Sequence, residues 1–144
     1  MRTNYLQYFI IILCTAAACL FSCAPQKKAV TSVKNEIKAV VNQLNNQSKS
    51  LDELDVKRKN KQELNQIDDT AGLRIQQFIG NTRQEIIKLV DQNSVLIGET
   101  VVKKEDWEKL RDALALSQDK LKKITYEVTF INDLISRNTV VKLD

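Results

Sequence analysis

Cysteine is the residue type whose placement in this chain is most distinctive. The three thiols are Cys14, Cys19 and Cys23, and the body from Ala24 to Asp144 has none. That body can form no internal disulfide and no thiolate metal site, and it carries no cysteine nucleophile. Histidine is absent, which removes the commonest general base and metal ligand. The acidic clusters are Asp52-Glu53-Asp55 and Asp68-Asp69, and neither has the spacing of a calcium loop. Their simplest reading is a solvated helix face. The basic group Lys57-Arg58-Lys59-Lys61 reads the same way, or as a contact for anionic headgroups, peptidoglycan or an acidic partner. No glycine-rich phosphate loop, zinc-ligand spacing or nucleophile elbow occurs. The sequence therefore predicts no catalytic residue, no cofactor, no metal and no small-molecule substrate: a protein that is not an enzyme. A formal charge of +4, spread over the chain, gives no reason to expect nucleic-acid binding.

The thiols sit in or beside an apolar segment. After MRTNYLQ, whose one basic side chain is Arg2, the run from Tyr8 to Phe21 is 14 residues long, broken only by Thr15. A bilayer-spanning helix needs about 20 apolar residues, and a run of 10–14 suits the core of a signal peptide. The run closes on Leu20-Phe21-Ser22-Cys23, and Ala24-Pro25-Gln26-Lys27-Lys28 follows. The tetrapeptide resembles the lipobox of bacterial lipoproteins: Leu, a small or apolar residue, a small residue, then Cys. The resemblance implies diacylglycerol on the Cys23 sulfur, acylation of its amino group, and cleavage between Ser22 and Cys23. Phe21 is larger than the strictest pattern allows. Ala16-Ala17-Ala18-Cys19 is a rival match that lacks the leucine, and an uncleaved N-terminal anchor is the alternative to cleavage. Ala24, not aspartate, follows the acceptor; by resemblance to the enteric sorting rule this implies delivery to an outer membrane.

Elements that would stand behind such an anchor are legible from periodicity. Three glycines and no proline after Pro25 argue against an all-β or loop-rich body. Val30, Val33, Ile37, Val40, Leu44, Gln47, Leu51 and Leu54 follow alternating three- and four-residue steps, a heptad seam with one polar lapse. The same frame then meets Arg58, Lys61 and Asn65, so the seam is expected to end or face water near Leu54. A second stripe, Leu64, Ile67, Ala71, Ile75, Phe78, Thr82, Ile86, Leu89, Asn93 and Ile97, is widened by Leu73, Ile79, Ile87 and Val90. Asp68-Asp69-Thr70-Ala71-Gly72 offers N-cap side chains and a glycine, and marks a break. Gly98-Glu99 between Val95-Leu96-Ile97 and Thr100-Val101-Val102 reads as a helix C-cap and loop or as a tiny hairpin. The last stripe is the most regular: Trp107, Leu110, Leu114, Ser117, Leu121, Ile124, Val128, Ile131 and Ile135. Glu105 with Lys109 and Asp119 with Lys123 are spaced for i,i+4 pairs on its outer face. Thr139-Val140-Val141-Lys142-Leu143 is β-prone and reads as a short strand.

The expected fold class is all-α. Long helices with heptad-like seams and coiled-coil character form a helical hairpin or a three-helix bundle, with short β elements near 95–102 and 139–143. The expected organisation is a signal peptide over 1–22, a linker over 23–29, a helical domain over 30–138 and a tail over 139–144. The helices should cover about 30–67, 69–97 and 104–137. The function expected is that of a lipid-anchored envelope protein, its partners the membrane and a protein or a second copy meeting the helical seams. The alternative is a spanin-like lysis subunit of phage origin, which the chain resembles in length and layout. Small lipoproteins that tether the outer membrane to the wall are also similar, but they end in a cross-linked lysine where this sequence reads Lys142-Leu143-Asp144.

Overall fold

A computed structural model describes residues 27–137, so Ser22, Cys23, the rival Cys19 and the tail at 139–143 lie outside the described residues. Three helices follow in order: α1 (Lys27–Glu63, 37 residues), α2 (Asp69–Gly98, 30 residues) and α3 (Lys104–Arg137, 34 residues). Each packs against the other two. The arrangement is a three-helix bundle rather than the hairpin, and no strand occurs among the described residues. Gly98-Glu99 accordingly lies in a helix end and turn, not a hairpin. The first helix starts at Lys27, inside the expected linker, and stops at Glu63, short of residue 67. α1 begins at one end of the bundle and α3 finishes at the other.

The core is the three stripes turned inward. Val33, Ile37, Val40, Leu44, Leu51 and Leu54 come from α1; Ile75, Ile79, Ile86 and Leu89 from α2; Leu110, Leu114, Leu121, Ile124, Val128, Ile131 and Ile135 from α3. Burying each such side chain contributes about 1.5–3 kcal/mol. The α3 stripe is buried as its spacing predicts except at Trp107, which is half-buried against the core. The second stripe differs at several positions: Leu64 is exposed, Ile79 is buried while Phe78 is 45% exposed, and Leu73 and Ile87, expected to widen the inward face, are exposed.

The seam of α1 does not end at Leu54. Arg58 is buried to 4% exposure, one turn further on. Its Nε donates to Asp55 Oδ1 at 3.0 Å and its Nη1 to Gln62 Oε1 at 2.9 Å. A buried guanidinium is tolerated only when its donors are satisfied, and acceptors at i−3 and i+4 supply that. Two further polar side chains meet between α2 and α3, where Ser117 Oγ donates to Asn93 Oδ1 at 2.9 Å. Asn93 Nδ2 in turn donates to Leu89 O at 2.7 Å. A satisfied polar pair in an apolar seam fixes which layers may face each other, as a buried asparagine does in coiled coils.

The α1–α2 turn is closed by backbone geometry. Gln66 N donates to Lys61 O at 2.8 Å and Asn65 N to Gln62 O at 2.9 Å, with Asn65 at φ 54°. This is the six-to-one and five-to-two bond pair of a Schellman stop, with asparagine in the left-handed position usually held by glycine. Ile67 then plugs the end of the core at 2% exposure. Asp68 caps α2, its carboxylate accepting from Ala71 N at 2.9 Å.

Candidate functional site

Most of the sequence's chemistry-bearing residues within the described region are spent on structure. Of the acidic clusters, Asp55 binds Arg58 and Lys59, Asp52 pairs with Arg83 of α2, Asp68 caps α2, and Asp69 accepts from Gln62 Nε2 at 2.7 Å. Among the described residues no group of three His, Cys, Asp or Glu side chains could hold a metal. Burial alone pushes the Asp55 carboxyl up, but the hydrogen bonds and charges of Arg58 and Lys59 outweigh it and hold the group below its usual value. The basic group is likewise engaged: Arg58 is buried, Lys59 Nζ reaches Asp55 Oδ2 at 3.1 Å, and Lys57 Nζ donates to Asn132 Oδ1 at 3.1 Å. It is not the free solvated face that its composition suggests.

The pairs expected on α3 are rearranged. Asp119 pairs with Lys122 at 3.1 Å, and Lys123 turns to Glu127 and across to Glu85 of α2, both at 3.3 Å. Hydrogen bonds to Glu127 and then Glu85 raise the Lys123 ammonium above its usual value. Every buried side-chain nitrogen and oxygen among the described residues has a hydrogen-bond partner.

Three surface features stand out among the described residues. A groove of about 530 Å³ runs between α1 and α3, lined by Gln43, Asn46, Gln47, Leu121, Lys122 and Thr125. A recess of about 370 Å³ lies between the start of α2 and the end of α3, walled by Arg74, Ile75, Phe78, Phe130 and Leu134. There Phe78 and Phe130 meet edge to face, centroids 5.8 Å apart, and both stay partly exposed. Periodicity placed Phe78 in the core and said nothing of Phe130. A Phe at the position of an inward stripe on α2 and another just outside the stripe of α3 was the available signal.

The third feature is the end of the bundle where α1 begins. Lys34 Nζ donates to Ile97 O at 2.8 Å and also to Glu99 O, so a side chain of α1 closes the C-terminus of α2. Gly98 does not take the left-handed conformation, and Glu99 leaves the helix extended at φ −65° and ψ 144°. The turn from Glu99 to Lys103 follows. Val101 packs on the core while Val102 is 66% exposed. Asp106 Oδ2 accepts from Lys103 N at 3.2 Å and fastens the start of α3, the role its place in the first turn predicts. Lys27, Lys28, Lys103 and Lys104 are all exposed at this end.

No family model, curated protein or solved structure matches the chain. No helix among the described residues is long and apolar enough to cross a membrane.

Proposed function

We propose that the protein is a non-enzymatic lipoprotein of the bacterial envelope, held by acyl chains on Cys23 and presenting its helical bundle as a structural or protein-interaction module. The observation that carries this reading is Leu20-Phe21-Ser22-Cys23 at the edge of a short apolar run, four residues before the first turn of α1. Several acyl chains anchor stably where one gives marginal binding. The bundle is consistent with a presenting role: several of its acids and bases pair with each other across and along the helices, and it offers helical surfaces on which Phe78, Tyr126 and Phe130 are exposed. The heptad spacing of α3 supports coiled-coil packing. Ala24 after the acceptor supports an outer-membrane destination, with the bundle in the periplasm.

Radiolabelled palmitate should enter the protein, and Cys23→Ala should abolish the label. Label that survives this change moves the acceptor to Cys19. Mass spectrometry of the mature N-terminus reads cleavage and acylation together. A mature chain that keeps residues 1–22 without acylation overturns the reading in favour of the spanin-like one.

A further inference from the structure

We infer that the turn from Thr100 to Lys104 is a second membrane contact, a Val-Lys-Lys edge that seats the bundle upright on an anionic lipid surface. The inference rests on the lipoprotein reading and names what the bundle's anchored end touches. Three observations carry it. First, the fold brings this turn to the end where α1 begins, and Lys34 of α1 binds the carbonyls of Ile97 and Glu99 to hold it there. Second, the turn is built as a firm root with an apolar tip: Val101 packs against the core, Lys103 N is tied to Asp106, and Val102 is left 66% exposed. Third, the lysines at this end of the bundle, Lys27 and Lys28 in the first turn of α1 and Lys103 and Lys104 at the start of α3, are exposed. Lysine beside an exposed apolar tip suits an interface, where the stem lies along the apolar region and the ammonium stays with the headgroups.

Acidic neighbours set the limits of this surface. Glu99 lies in the turn itself, and Glu105 and Asp106 sit in the first turn of α3. Asp106 is engaged with the Lys103 backbone, and Lys104 makes a long, exposed pair with Glu108 at 3.6 Å. The charge balance at this end is therefore only mildly positive, too little to recruit a free protein. It need not recruit one. The four residue steps from Cys23 to Lys27 reach at most about 14 Å, so an acylated Cys23 delivers this end to the headgroups. A contact too weak to bind alone becomes effective when the tether supplies a high local concentration.

The test uses the mature acylated protein in vesicles of phosphatidylcholine with and without phosphatidylglycerol. Once Cys23 is acylated, the mature chain has no free thiol, so an environment-sensitive dye can be placed on Thr100→Cys or, at the opposite end, on Asn60→Cys. The dye at position 100 should shift to the blue and be quenched by nitroxide lipids, more strongly with phosphatidylglycerol; the dye at position 60 should do neither. Adding Val102→Asp should return the dye at position 100 to its aqueous spectrum, with helical circular dichroism and palmitate labelling unchanged. Lys103→Gln should weaken the contact roughly fivefold in phosphatidylglycerol vesicles. An aqueous spectrum at position 100 in the acylated wild type overturns the inference while leaving the lipoprotein reading intact, and a blue shift that Val102→Asp leaves unchanged does the same. Absence of acylation removes the reading, and the inference falls with it. A blue shift that appears in solution without vesicles and depends on protein concentration assigns the turn to a second copy instead, and also overturns it.

Discussion

At the α1–α2 end the chain closes on itself: Asn65 supplies the left-handed residue, Gln66 and Asn65 satisfy the last carbonyls of α1, and Ile67 fills the space beneath. At the α2–α3 end the turn has no left-handed residue, a lysine from a third element holds the carbonyls, and Val102 is left outside. Both turns are five residues long, between Glu63 and Asp69 and between Gly98 and Lys104. Length therefore does not explain the difference. The first turn has its stop signal in its own backbone, so its stability is local. The second has local bonds at Glu99 and Lys103 but also draws on Lys34 of α1, so part of its hold comes from the assembled bundle.

That contrast can be broken at the apolar residue of each turn. Ile67→Ala should destabilise the bundle by about 2–5 kcal/mol, the usual cost of emptying a buried aliphatic site, whereas Val102→Ala should stay within about 0.5 kcal/mol. Urea unfolding of the two variants measures both. Equal losses would remove the distinction between a closed and an open end.

The glycines sharpen it. A Cβ on Gly72 would lie 2.6 Å from Gln62 Oε1, whereas one on Gly80 meets nothing within 4 Å. Gln62 links Arg58 at 2.9 Å to Asp69 at 2.7 Å, so Gly72→Ala should displace that bridge at the closed end and cost about 1–3 kcal/mol. Gly80→Ala, in mid-helix, should instead gain about 0.4–1 kcal/mol. At the open end, Lys34→Met should cost about 1 kcal/mol and speed amide exchange from Val95 to Lys103, leaving exchange at the α1–α2 turn unchanged.

The smallest effect expected is acid sensitivity at the closed end. Asp55 has its carboxyl held below the usual value of 3.8 in the folded protein, so its contribution is present above that value and lost as pH falls through the folded one. Asp55→Asn should flatten the fall in stability below pH 3.8 without altering the slope near neutrality. Chemical denaturation at several acidic pH values reads this slope directly.

The helical stripes were legible because one face of each helix is apolar at a period the chain repeats many times. α3 shows this best, from Leu110 to Ile135. Single-residue choices were not legible in the same way. Phe78 and Ile79 are adjacent and both apolar, and only the placement of two neighbouring helices decides that the isoleucine goes inside. Arg58 reads as solvent-facing by type, although Asp55 and Gln62 at helical spacing were the signal that it could be satisfied when buried. The sequence marks a break over Asp68–Gly72 by its N-cap side chains and its glycine, and Asp68 does cap α2. Asn65 holds the left-handed conformation, and Gly72 serves close approach instead. Of the lipid site nothing structural is added, since Cys23 and Ser22 fall outside residues 27–137.

An odd number of helices among residues 27–137 has a consequence for distance. With α1 starting at one end and α3 finishing at the other, the bundle acts as a spacer. Its length is set by the helices, and α3 with its 34 residues measures about 50 Å. Whatever meets the chain beyond Arg137 is held about that far from whatever holds Lys27, and removing one heptad from each helix would shorten the gap by about 10 Å. An even-numbered bundle would return the chain to its starting plane and could set no such gap.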